Sequence, residues 1–214
     1  MGKQVRSTKS RPYTMRRRAE LADLTRQRIT EAAVRLHTTV GPARTSIAAI
    51  AAEAGVTRLT VYRHFADLDA VFVACMAHWG ATNPRPDAAA WAAIPNLEQR
   101  ARQAFGELYR WYRDHVDDLY PIDRDVAAIP VSAQQAREAG YQWTADALLA
   151  GSGGAGAGAE PDRDGRVRRA VARHLIDFRT WWSLVRQGDL DDDEAVEVAV
   201  LLLVAAHRAS PGDA

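Results

Sequence analysis

The sequence predicts an all-α protein built in two unequal parts. Apolar residues recur at spacings of three and four throughout, and the period-two alternation of a half-buried strand is nowhere sustained. A proline-rich stretch, "TNPRPDAAAWAAIP", interrupts the helical pattern and separates a small N-terminal part from a larger C-terminal one. The charge is divided in the same way. Residues 1 to 65 hold thirteen Lys and Arg against four Asp and Glu, a net +9, while the remainder holds fifteen against twenty-three, a net −8. A basic front part is the electrostatic footprint of a domain that meets a polyanion.

Composition sets the outer bounds. The chain has 214 residues, 47% hydrophobic and 26% charged, as in folded globular proteins and unlike disordered ones. Cys75 is its one cysteine, which leaves no disulfide framework and no thiolate cluster for a metal. The opening residues have no apolar core like that of a secretory signal, and the longest apolar run, Val198 to Ala206, is too short to span a bilayer. A cytoplasmic protein without membrane contact is expected.

The helices follow in order. After a basic stretch, Leu24 to Thr39 places Ile29, Ala32, Ala33, Leu36 and Val40 on one face and stops at "GPAR". Thr45 or Ser46 caps a second helix with Ile47, Ile50, Ala51 and Ala54 inward, ended by Gly55, which turns the chain with positive φ. Thr57 caps the third. Asp67 caps a fourth that runs to about Gly80, with Asp69 near the positive end of its dipole. Beyond the prolines, Leu97 to Leu119 carries a stripe of Leu97, Ala101, Phe105, Leu108, Tyr112 and Val116. Pro121 and Pro130 bracket a short segment, and Val131 to Ala150 is helical again. "GSGGAGAGAEPD" reads as a mobile surface loop. Val167, Val171, His174, Phe178, Trp181 and Val185 then form a heptad-like seam. The last helix, "DDDEAVEVAVLLLVAAHR", is apolar almost all round after its acidic start, so it needs cover on more than one side, which a second subunit supplies.

One motif carries chemistry. A helix-turn-helix needs a small residue where its helices cross, a glycine in the turn and an apolar anchor in the second helix. Ala51, Gly55 and Val61 meet these needs at intervals of four and six. The second helix then turns Thr57, Arg58, Leu59, Thr60, Tyr62, Arg63 and His64 outward, with its N-terminal residues aimed at a major groove. Arg58 is the residue best suited to read guanine, through bidentate bonding to O6 and N7. Arg16, Arg17 and Arg18, in a flexible arm ahead of the first helix, are placed to follow phosphates or enter a minor groove.

The stretch from Arg28 to Phe72, "RITEAAVRLHTTVGPARTSIAAIAAEAGVTRLTVYRHFADLDAVF", resembles the N-terminal domain of the TetR family of bacterial transcriptional regulators. The likeness rests on the Ile-x-x-Ala-Ala face, the glycine after it, Thr45 to Ile47, the Ile-Ala-x-x-Ala-Gly-Val run and the closing Tyr-x-x-Phe. It departs at Leu59, where the family usually has glycine, at His37, usually phenylalanine, and at Leu68, commonly a lysine that meets phosphate.

The resemblance implies about nine helices. They form a flexible arm (1–20), a three-helix DNA-binding domain with a linking fourth helix (21–80), and a ligand-binding and dimerisation domain (81–214). It further implies a homodimer joined through the last two helices, a palindromic double-stranded operator, and release by a small-molecule effector bound in the second domain. Residue by residue, Thr45 matches the phosphate-facing start of the second helix, and Arg44 beside it is a further candidate for DNA contact. Thr57, Arg58 and Thr60 match the base- or phosphate-contacting start of the third, and Tyr62 and His64 its phosphate-binding aromatic pair.

Five of the six tryptophans lie in the second part, where aromatics on facing helices can line a cavity. Trp111, Tyr112, His115, Trp143, His174 and Phe178 are its candidate lining residues. "GSGGAG" matches a dinucleotide fingerprint only formally, because it follows a helix rather than a strand. The six histidines show no paired metal-ligand spacing, and no nucleophile elbow or Cys–His pairing occurs, so no catalytic residue, metal or cofactor is assigned. Cys75 and His37 read as packed core. An enzyme or small-molecule binder that keeps the fold without regulating DNA, and an architectural DNA-binding protein, are the alternatives.

Overall fold

The structure is a computed structural model that describes residues 10–151 and 162–209. Among these residues there is no strand, and eleven α-helices make up the fold. The glycine-rich segment expected to be a loop lies, but for its two end residues, outside the described residues.

The N-terminal part is α1 (Ser10–Thr39), α2 (Ile47–Glu53) and α3 (Arg58–His64). Helix α1 starts fourteen residues before the expected Leu24, so Arg16, Arg17 and Arg18 stand on a helix rather than in a flexible arm. Good helix formers fill this stretch, and Arg16 pairs with Glu20 one turn on at 3.0 Å. Ile29, Ala32 and Ala33 are fully buried as expected, whereas Val40 is exposed. These residues pack with Ile50, Ala51, Val61 and Phe65 into a small core whose alanines let the helices approach closely.

Helix α4 (Leu68–Thr82) crosses between two cores, with Val71 and Cys75 in the first and Trp79 in the second. The second core is aromatic. It is built from α5 (Ala88–Ala92), α6 (Leu97–Asp114), α7 (Val116–Arg124), α8 (Val131–Leu148), α9 (Arg163–Leu175), α10 (Phe178–Trp182) and α11 (Asp192–Arg208). Helix α6 packs along α11, which also rests on α9.

Two expected helices are broken, and α5 forms within the proline-rich stretch expected only to interrupt the pattern, which together give eleven helices and not about nine. The first break is at His115, between α6 and α7. The second divides the heptad-like seam at Ile176, where the Asp177 side chain accepts from the Arg179 amide at 2.9 Å and so caps a new helix. Three of the carbonyls at this break find side-chain donors. Thr180 Oγ1 donates to His174 O at 2.6 Å, Tyr109 Oη to Leu175 O at 2.8 Å, and Tyr112 Oη to Ile176 O at 2.6 Å. A π-helical turn, Ser183–Gln187, follows.

Candidate DNA interface and effector cavity

Local chemistry sets the geometry of the reading helices. Ser46 Oγ accepts from the Ala49 amide at 3.2 Å, which opens α2. At its other end Gly55 adopts φ +64, while Gly55 N donates to Ala52 O and Val56 N to Ala51 O, the paired bonds of a Schellman turn. Thr57 Oγ1 then accepts from the Thr60 amide at 3.1 Å and shares a hydrogen bond with the Thr60 hydroxyl at 2.9 Å. Both ends of the turn are closed, so the direction of α3 is fixed.

Helix α1 clamps this pair by its arginines. Arg28 Nη2 donates to Ala54 O at 2.6 Å, and Arg26 donates to His64 O while lying 4.0 Å from the centre of the Phe65 ring. Arg35 pairs with Glu53 at 2.8 Å. Three of the basic residues that suggested a polyanion partner are therefore engaged within the domain. Sequence reasoning missed this because the acceptors are mostly helix-terminal carbonyls, which leave no mark in residue identity.

Of the predicted DNA-facing residues, Arg58, Leu59, Tyr62 and Arg63 are exposed on α3, with Leu59 at 71%. Thr57 is exposed, and Thr60 and His64 are half-buried. Arg44 is exposed at the end of a 3-10 turn, and Arg16, Arg17 and Arg18 are exposed on α1. Thr45 departs from its expected role. It is buried, its hydroxyl donates to Gly41 O at 2.9 Å and its amide to Pro42 O at 3.1 Å, so neither donor faces a phosphate. Ser46, the cap beside it, is the exposed residue at that point.

The second domain encloses a cavity of about 650 Å³. Its walls come from α4 (Phe72, Val73, Met76), α7 (Leu119, Ile122, Asp123) and α8 (Ala136, Arg137, Tyr141), with Tyr112 of α6 and Phe178 of α10 between them. Of the six predicted lining residues only Tyr112 and Phe178 reach it. Trp111 is buried behind, His115 stacks on Trp111 with ring centres 4.8 Å apart, and His174 turns to Thr180. Trp143 is 57% exposed, on the side of α8 away from the core. The missed lining of α4 and α7 is set by how distant segments pack, and no local signal marked it.

The cavity and the reading helices share walls. Helices α4 and α7 both pack on α1. At the end of α7, Arg124 Nη2 donates to Val40 O at 2.9 Å, and Asp125 Oδ2 accepts from the Ala43 amide at 3.1 Å. This grip closes on Gly41, at φ +92, where a Cβ would collide with Asp125 Oδ2. Arg124 holds the Asp125 carboxyl below the usual carboxylate range. Beside the shared wall, His37 lies between Phe72 and Cys75, its Nδ1 3.3 Å from the Cys75 sulfur. Burial pushes the imidazole down to about 4 and the thiol up to about 12, so both are neutral core groups.

The described residues thus form a capped helix-turn-helix with an exposed second helix, joined by a shared wall to a larger helical domain with a cavity. Residues 29–75 match the family model for bacterial regulatory proteins of the tetR family. Two solved structures share the whole fold. One is a TetR-like transcriptional regulator from Rhodococcus sp. RHA1, with TM-score 0.56 and 22% identity over 87% of this chain and 97% of that one. The other is a tetR-family transcriptional regulator from Streptomyces coelicolor, with TM-score 0.60 and 18% identity over 88% of this chain and 84% of that one. No curated protein matches the chain. Among the described residues no helix is long and apolar enough to cross a membrane.

Proposed function

We propose that the protein is a cytoplasmic, ligand-responsive repressor that binds a palindromic operator as a homodimer and is released by a small molecule. The observation that carries this reading is the outer face of α3. It keeps Arg58, Leu59, Tyr62 and Arg63 in solvent on a helix whose direction is fixed at both ends. Arg58 reads a base edge, and Tyr62, His64 and Arg44 hold the backbone. Arg16, Arg17 and Arg18 follow phosphates from the start of α1.

Dimerisation through α11 and the helices before it is supported by Leu201 and Leu202, 68% and 48% exposed on α11, and by Val167 on α9. An effector in the cavity pushes on α4 and α7, and the Arg124–Asp125 grip carries that movement to the loop ahead of α2. Release requires that the effector bind the DNA-incompetent arrangement better than the competent one, since equal affinity shifts nothing.

The test is a gel shift with the DNA upstream of the coding region against random DNA of the same length. A preferred site is expected, and Arg58→Ala weakens it by roughly 10- to 100-fold, the value of one bidentate base contact. No preference over random DNA sinks the regulatory reading. Deleting residues 1–18 weakens binding on all sequences and flattens its salt dependence.

A further inference from the structure

The charges around the cavity almost close on themselves. Asp123 accepts from Arg137 Nη2 at 2.5 Å and from Arg179 Nε at 2.8 Å, and Arg173 pairs with Glu138 at 2.7 Å and Asp177 at 2.8 Å. Three arginines meet three carboxylates, so this network carries no net charge into the cavity. Arg85, also in the lining, stands outside it.

Arg85 is an exposed residue of the lining, its guanidinium 5.2 Å from the Trp111 ring centre and 5.8 Å from that of Tyr141, and it has no carboxylate partner among the described residues. A cation–π contact holds a guanidinium near the rings while leaving its N–H groups to meet an anion. The indole beneath it has the same deficit. Of the four buried tryptophans, Trp79, Trp91 and Trp181 each donate Nε1 to a carboxylate, of Asp118, Glu107 and Asp192 respectively. Trp111 Nε1 is buried with no acceptor. Arg85 is the one charged lining residue without a partner of opposite sign among the described residues, and Trp111, buried behind the lining, adds an unmet N–H near it.

We infer that the effector is an apolar-bodied carboxylate whose acid group pairs with Arg85 and whose body lies among Phe72, Met76, Ile122 and Phe178. This rests on the reading of the cavity as the effector site. The size suits a drug-sized molecule, and the walls are mainly apolar and aromatic, with Asn83, Ser132, Arg85 and the compensated Asp123–Arg137 pair as their polar members. One uncompensated cation selects a monoanion over a neutral or cationic molecule of the same shape.

Calorimetry on the full chain, without DNA, tests the inference with two matched pairs of probes: dodecanoate against 1-dodecanol, and biphenyl-4-carboxylate against biphenyl-4-methanol. In whichever pair binds, the acid is expected to bind at least about tenfold more tightly than the alcohol, as for a hydrogen bond to a charged group. Arg85→Gln brings that ratio towards one. Equal binding of acid and alcohol, or a ratio that survives Arg85→Gln, overturns the carboxylate inference and leaves the cavity standing. Gly140 lines the cavity and an added Cβ there would meet nothing within 4 Å, so Gly140→Phe is the substitution chosen to occupy the space. Failure of Gly140→Phe to weaken any bound probe, or no binding by any of the four, overturns the cavity reading itself.

Discussion

The reading head and the second domain are both helical, but they are specified by different physics. In the reading head α2, α3 and α4 each open on a side-chain cap, Ser46, Thr57 and Asp67, as most helices of the second domain also do, and the arginines of α1 clamp the turn between α2 and α3. The head's core is small and alanine-rich, and its one unusual backbone angle within the helix-turn-helix sits at a glycine. The second domain is held by contacts between distant segments, such as Tyr109 and Tyr112 reaching carbonyls more than sixty residues away. It retains a cavity and unpartnered donors. The face proposed to meet DNA is held by caps and clamps around one turn, whereas the domain proposed to take an effector keeps space and unmet hydrogen bonds.

This difference implies that the two cores can be unbalanced separately. Ile50 is fully buried in the first core, and replacing it with alanine costs about 2–5 kcal/mol. All six tryptophans lie between residues 79 and 182, so their fluorescence follows the second domain and the far end of α4. In Ile50→Ala the circular-dichroism melt is expected to gain an early step while the fluorescence transition stays near its original temperature. Transitions that shift together would show that α4 binds the two cores into one cooperative unit.

The same contrast explains what the sequence made legible. The turn between α2 and α3, its caps and its buried face follow from residues within a span of twenty, and these readings agree with the structure. Cys75 and His37 were also legible as core, because they fall on helical faces already known to be apolar. The N-terminal extension of α1 was not, since a helix that is polar all round has no periodic signature. The break at Ile176 was hidden because three of its carbonyls are satisfied from α6 and by Thr180. The cavity lining was missed because aromatic content identifies core, and only the packing of α4, α7 and α8 decides which of it faces space. Tyr112 and Phe178 were found on this basis, and Trp143 was misplaced.

The wall between the two regions gives a prediction of intermediate size. His37 has an ordinary value of 6.5 and is held at about 4 when folded, so the unfolded chain takes up the proton first as pH falls. Stability is therefore complete above about 6.5, declines towards about 4, and is level with respect to this group below that, a loss of about 3 kcal/mol. His37→Phe, which keeps an aromatic ring against Phe72, should flatten that part of the profile in denaturant titrations at a series of pH values. An unaltered slope between pH 6.5 and 4 would assign the loss to other groups.

The smallest effect uses one substitution with opposite signs in the two regions. Gly55 sits at φ +64, where an alanine costs about 1–2 kcal/mol from backbone geometry alone. Its Cβ would meet only the end of the Arg28 side chain, at 3.2 Å, so conformation and not space requires glycine. Gly140 is within α8, at a helical angle, and an added methyl there would have nothing within 4 Å. At that position alanine removes the entropic weakness of glycine in a helix and should stabilise by about 0.5–1 kcal/mol. A glycine that weakens its helix while keeping a cavity open fits a site maintained for an occupant. If Gly140→Ala stabilises the chain yet leaves probe affinity as it was, the open space at Gly140 serves something other than the ligand's body.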